Sequence, residues 1–211
     1  MSASVKYPRT PHLPFSPAYS HDDEQLVDIN FLKNEKEIII TEKMDGENTS
    51  LYPDHWHGRS INSNRKHESR DYMAGRWAQL RSRIPEGFRV CGENMYAKHS
   101  IHYPDLSDWF LGFSIWNGDM CASWDETIDQ FLKIGIWPVK QLYRGPFSFE
   151  ALTTAVAKLN LNRQEGIVVR TTTSFEYSKF NHYVAKWVRY KHVEPETKHW
   201  FSSKVTKNRI K

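Results

Sequence analysis

"TEKMDGENTS", residues 41–50, sets a lysine at the end of an isoleucine-rich segment and two residues ahead of an Asp-Gly turn. Lysine favours solvent, and pinning its long stem forfeits up to about 2 kcal/mol of side-chain freedom. A strand that ends by fixing Lys43 needs a contact or a chemical use that compensates. Upstream, "EKEIIITEKM" (35–44) predicts a strand. Downstream, "ENTSLYPDHWHGRS" (47–60) alternates and turns at Pro53-Asp54, as a hairpin does. Lys-x-Asp-Gly alone equally describes an ordinary strand and turn, so its meaning rests on the rest of the chain.

Further outward, residues 1–20 carry four of the ten prolines and read as an irregular arm laid on the surface. Asp22 and Asp23 in "HDDEQLVDINFLKN" suit a helix start, a better reading of "HDDE" than a metal site. Tyr72, Trp77 and Leu80 fall near helical spacing among arginines, which predicts a basic amphipathic helix over 67–83. After the Pro85-Glu86-Gly87 turn, "FRVCGENMY" and "DWFLGFSIWNG" read as strands. Helices are expected over 125–133 and 149–159, with the extended "IGIWPVKQLYRG" between them. "EGIVVRTT" and "HYVAKWVRY" supply two late strands. Strands from distant segments mixed with helices give an α+β fold with largely antiparallel sheet.

At 211 residues the chain can build a sizeable core, here rich in aromatics, with eight Trp, ten Tyr and eleven Phe. Twenty-nine basic against 25 acidic residues leave a net charge of +4, which permits an anionic partner without demanding one. The basic residues gather in 65–83 and in the tail "KVTKNRIK", so a nucleic-acid footprint would be local; solvated faces are the alternative. Cys91 and Cys121 have no metal-type spacing, and no run is long and apolar enough for a signal peptide or membrane span. A cytoplasmic, monomeric protein without membrane contact is expected.

The short motifs carry the chemistry. "GRS" (58–60) follows Lys43 within one hairpin, "CGEN" holds Glu93, "GFSIW" holds Phe113, "EGIVVR" holds Glu165 and "VAKWVR" holds Lys186. In this order they resemble the covalent nucleotidyltransferase superfamily of ATP-dependent DNA ligases, RNA ligases and mRNA capping enzymes, and most closely the RNA ligases. The resemblance spans Glu42 to Arg189. It implies an ATP-grasp-like adenylation domain of antiparallel sheets flanked by helices over 21–192, with the proline-rich arm before it. A basic C-terminal helix or tail over 193–211 would follow, too short for an oligonucleotide-binding β-barrel.

The resemblance also implies a role for each matching residue. Lys43 is the nucleophile that takes AMP from ATP; it must be neutral to attack, so cationic neighbours and desolvation are expected to lower its pKa. Asp45 and Gly46 form the turn that presents it, and Glu42 faces the adenine. Arg59 contacts the ribose and phosphate side, and Glu93 accepts from the ribose hydroxyls. Phe113 stacks on the base, with Trp116 as its rival. Glu165 helps hold Mg2+ or Mn2+ through water. Lys186 binds the α-phosphate. The chain departs from the family at Val184, where a second basic residue normally stands two positions before Lys186; Arg189 is the candidate replacement.

The implied activity is that of an RNA ligase, which forms lysyl-AMP, transfers AMP to a 5′-phosphate end and seals it to a 3′-hydroxyl. A minimal DNA ligase acting on DNA ends is the alternative. A non-catalytic nucleic-acid-binding protein of the same fold is a second, although it has no need for Lys43, Glu93, Glu165 and Lys186 together. His55 and His57 share a strand face but lack further zinc ligands nearby. "HWF" (199–201) suits base stacking or the packing of a final helix.

Overall fold

Ile38, Ile39 and Ile40 are all fully buried, which requires a strand covered on both faces. Strand β1 (Ile38–Lys43) supplies this condition: Ile38 and Ile40 pack in one cluster and Ile39 in another. The computed structural model describes residues 3–18, 29–61, 66–190 and 205–211. The expected helix start at Asp22 and Asp23, Lys204 and the "HWF" stretch lie outside them.

After β1 come β2 (Glu47–Leu51), β3 (Trp56–Gly58), β4 (Phe88–Asn94), β5 (Phe110–Asn117), β6 (Met120–Cys121), β7 (Trp137–Pro138), β8 (Gln141–Gly145), β9 (Gly166–Thr171), β10 (Phe175–Glu176) and β11 (Val184–Val188). A four-stranded antiparallel sheet runs β11-β9-β1-β8. The second sheet runs β10-β6-β5-β4-β2-β3, with the short β7 paired parallel to β5. The architecture is α+β and largely antiparallel, as expected.

The helices are α1 (Asn30–Lys33), α2 (Glu68–Leu80), α3 (Trp124–Ile134) and α4 (Phe149–Ala157). Side chains set their starts. The ring nitrogen Nδ1 of His67 accepts from the Ser69 amide, Ser148 caps α4, and Ser123 with Glu126 closes a reciprocal capping box on α3. Leu152 and Ala155 of α4 cover the outer face of the first sheet beside Ile38, Ile40, Ile167 and Val169. Met73 and Leu80 of α2 and Phe131 of α3 pack with Leu51, Val90 and Ile115 of the second.

The N-terminal arm departs from its reading as a surface segment. It lies along β11: the Lys186 amide donates to Pro11 O at 2.9 Å and the Leu13 amide donates to Lys186 O at 2.7 Å. Pro11, His12 and Leu13 are buried. The arm then reaches the second sheet, where Arg89 donates to Val5 O at 2.7 Å. Proline lacks a donor but keeps its carbonyl, so a proline-rich segment can still pair through alternate residues. Of the expected C-terminal helix or tail, the part described, 205–211, is extended, with bridges to Ala97 and Leu106. Asn208, 1% exposed, ties the tail to the Met95 and Ala97 carbonyls and the Tyr103 amide.

Candidate active site

Between the two sheets lies a cavity of about 470 Å³. Thr41, Glu42 and Lys43 of β1, Val168 and Arg170 of β9, and Val184 and Lys186 of β11 line it from the first sheet. Glu93 of β4 and Phe113 and Ser114 of β5 line it from the second, with Arg59 just beyond β3. Strand periodicity explains the set: Val168 with Arg170, and Val184 with Lys186, are two residues apart and share a face. Ala185 and Trp187 point the other way, into the core beneath α4.

Lys43 ends β1 opposite Gly166 of β9. A Cβ at Gly166 would lie 2.0 Å from Trp187 O, so only glycine lets β11 come this close. Glu165 precedes that glycine, and Lys43 Nζ donates to its Oε2 at 2.5 Å. Side-chain exposure is 24% for Lys43 and 3% for Glu165. Burial alone would push the ammonium towards neutrality, but the carboxylates of Glu165, Glu93 and Asp45 outweigh it and hold its pKa above the ordinary value. The expectation of a lowered pKa is therefore overturned: the neighbours are anionic, and Lys43 rests charged.

Glu93 Oε1 accepts from the Gly46 amide at 3.3 Å. Its pKa is pushed up to about 8, first by burial and then by Glu165 and Asp45, against the opposing pull of Lys43. A raised acid contributes stability that is present below its ordinary 4.5 and lost as pH rises through about 8. Glu93→Gln lacks that loss. The melting temperature of the wild type relative to Glu93→Gln is expected to fall across this window and level off above it. A constant difference in pH-resolved melting curves would refute the raised pKa. Glu42, 8% exposed, is also raised, by burial first, against a hydrogen bond from Gln164.

Asp45 is placed differently from the other candidates. Its Oδ2 accepts from the Ser100 amide at 2.8 Å, the Ser100 hydroxyl at 2.6 Å and the Ile101 amide at 2.9 Å. It anchors the 100–103 loop behind the turn, so its side chain is a scaffold element rather than part of the cavity lining. Gly46 answers a close approach: a Cβ there would stand 2.5 Å from Asn94 O.

Phe113 and Trp116 separate clearly. Phe113 lines the cavity, whereas Trp116 is fully buried and its indole donates to Ser114 Oγ at 3.1 Å. Val168 and Phe113 reach the cavity from opposite sheets and both pack against the same apolar cluster. Arg189 is not among the cavity-lining residues. Its amide donates to Glu165 O at 3.0 Å, and in a regular strand a position three beyond Lys186 faces away. It does not fill the gap at Val184.

Among the cavity residues that escaped the sequence reading are Tyr7, Pro8, Arg9 and Thr10 of the arm. Tyr7 meets Phe113 edge-on at 5.1 Å and Phe180 at 5.4 Å. No local signal marks them, because the arm has no periodicity. Arg170 was also missed; it is 4% exposed and lies across β9 from Val184.

Within the expected nucleic-acid footprint, several of the described cations have partners. Arg70 pairs with Glu47 at 2.6 Å and Arg76 with Asp108 at 2.6 Å. Arg81 stacks on Trp77, and Lys207 sits over Tyr96 and 3.6 Å from Glu68. His55 and His57 stack in line with Tyr52, and His55 bonds Asp54 at 2.7 Å. Among the described residues no helix is long and apolar enough to cross a membrane.

No curated protein sequence matches the chain. Among solved structures, an archaeal ATP-dependent RNA ligase superposes with a TM-score of 0.58 at 14% identity, over 87% of this chain and 48% of that one. A Naegleria gruberi RNA ligase solved with ATP and Mn gives 0.53 at 14%, over 78% of this chain and 52% of that one. A putative ATP-dependent DNA ligase from Aquifex aeolicus gives 0.55 at 17%, over 87% and 49%. The chain thus spans about half the length of these structures. At such identities they establish the fold. The sequence model described as RNA ligase, however, matches residues 36–188, from the strand bearing Lys43 to the strand bearing Lys186, and the chain belongs to the RNA ligase family.

Proposed function

We propose that the chain is an ATP-dependent RNA ligase acting through a lysyl-AMP intermediate on Lys43. The observation that carries this reading is Lys43 in the inter-sheet cavity, 2.5 Å from Glu165, with Glu93, Phe113 and Lys186 on the surrounding strands. Lys43 Nζ attacks the α-phosphorus of ATP; an N–P bond forms, the bond to the bridging oxygen breaks, and pyrophosphate leaves. Nζ must first lose a proton, and Glu165 Oε2 is placed to accept it. Phe113 and Val168 hold the base between them. Glu93 meets the ribose hydroxyls, Arg59 lies towards the sugar and phosphates, and Lys186 meets the charge on the α-phosphate.

A divalent ion supplies charge neutralisation on the phosphates when bound. Glu165, with Glu93 nearby, is the carboxylate that would hold Mg2+ or Mn2+, which take few protein ligands when phosphates and water complete the shell. AMP then passes from Lys43 to a 5′-phosphate, and a 3′-hydroxyl displaces it.

The natural ends are proposed to be RNA. A protein tells RNA from DNA through the 2′-hydroxyl, and one hydrogen bond to it makes ribose-ended strands seal roughly tenfold faster than deoxyribose-ended ones. Sealing assays on otherwise identical strands measure this. Equal rates would favour the second reading, a minimal DNA ligase, to which the likeness to the Aquifex aeolicus protein lends support. Adenylylation without transfer to any strand would rule out both.

A further inference from the structure

We propose that Arg9 of the N-terminal arm supplies the cation that β11 lacks at Val184, and that it binds a phosphate oxygen of the nucleotide. This rests on the ligase reading above and extends it.

On its cavity face β11 presents Val184 and then Lys186, one cation where an anionic ligand would be better met by two. The shortfall matters because the carboxyl group of Glu165 also stands at this site, beside Lys43. The arm runs parallel to β11, with His12 bridged to Lys186. Continuing that register brings Thr10 beside Val184, and both Arg9 and Thr10 line the cavity. The missing charge is thus available from the neighbouring chain segment rather than from the strand itself.

The arm holds this position firmly. On one side the Val188 amide donates to Ser16 Oγ at 3.0 Å and the Trp187 indole to Phe15 O at 3.2 Å. On the other the Tyr177 hydroxyl donates to Lys6 O at 2.8 Å, while Tyr7 is wedged against Phe113 and Phe180. Arg9 therefore stands between two pinned points, Tyr7 and Pro11. Its guanidinium is planar, permanently charged and able to donate two parallel hydrogen bonds to a phosphate.

Arg170 is the rival, directly across from Val184. Its guanidinium donates to the Thr171 and Ala122 carbonyls at 3.0 and 2.9 Å and lies over the rings of Trp124 and Phe175. Those contacts hold it in the wall of the cavity. Arg9, by contrast, is exposed and lines the cavity from the arm.

Calorimetric binding of α,β-methylene-ATP with Mg2+, and of adenosine, to wild type, Arg9→Ala and Arg9→Lys decides the matter. Arg9→Ala is expected to weaken the ATP analogue about tenfold, as loss of a charge-assisted hydrogen bond does, and to leave adenosine unchanged. Arg9→Lys is expected to recover part of the loss. Unchanged binding of the analogue to Arg9→Ala, or an equal loss for adenosine, would overturn the assignment while leaving the ligase reading intact. A wild type that binds no analogue would sink both together.

Discussion

Lys43→Ala protein incubated with α-labelled ATP and Mg2+ will carry no covalent label after denaturing electrophoresis, whereas the wild type will. The expected loss is complete, because the substitution removes the attacking amine itself. Lys43 ends a strand buried on both faces, so its backbone is held opposite Gly166 of β9 and its side chain by the 2.5 Å contact to Glu165. Fixing a nucleophile in this way removes most of the orientational entropy from the attack. The substitution deletes a partly exposed side chain, and the isoleucines beneath it stay packed, so the variant will fold. Label persisting on Lys43→Ala would end the assignment, and transfer from GTP in place of ATP would move the protein towards the capping enzymes.

Glu165→Ala will lose adenylylation by at least about a hundredfold, the scale on which a single preorganised electrostatic group acts, while its melting temperature shifts by only a few degrees. Breaking a fully buried ion pair costs about 3–5 kcal/mol. Here the Lys43 side chain is 24% exposed, so its ammonium can reach water and the remaining carboxylates of Glu93 and Asp45. Gly166 to Thr171 keep their pairing with β1 and β11 through the backbone. Activity and thermal melting, measured on the same preparation, separate the two roles. A variant that does not fold would make Glu165 a structural residue. A folded, fully active one would place the proton acceptor and the metal ligand elsewhere.

The strong local signals survived tertiary assembly. "EIIITEK" is a strand because three adjacent isoleucines suit only an element covered on both faces, and the helix expected over 125–133 forms as α3, Trp124–Ile134. The motif order led to the residues that line the cavity: Glu42, Lys43, Arg59, Glu93, Phe113 and Lys186 all do, and Glu165 contacts the lysine. The resemblance carried by these motifs pointed to them, and for Lys43, Glu93, Phe113 and Lys186 the strands β1, β4, β5 and β11 bring the side chains to the cavity.

Long-range placement decided the rest. The sign of the pKa shift at Lys43 depends on Glu93 and Glu165, 50 and 122 positions away, and a sum of through-space charges has no local trace in the chain. Asp45 became a loop anchor because Ser100 and Ile101 present their donors to it. Trp116 was separated from Phe113 by the aromatic cluster that closes over its ring. The arm entered the cavity because β11 is an edge strand whose open hydrogen-bonding groups it could satisfy, and a proline-rich segment announces neither its partner nor its register. The motif order pointed to Lys43, Glu93, Phe113, Glu165 and Lys186; packing across the two sheets and along β11 determined which further side chains join them and how the group is charged.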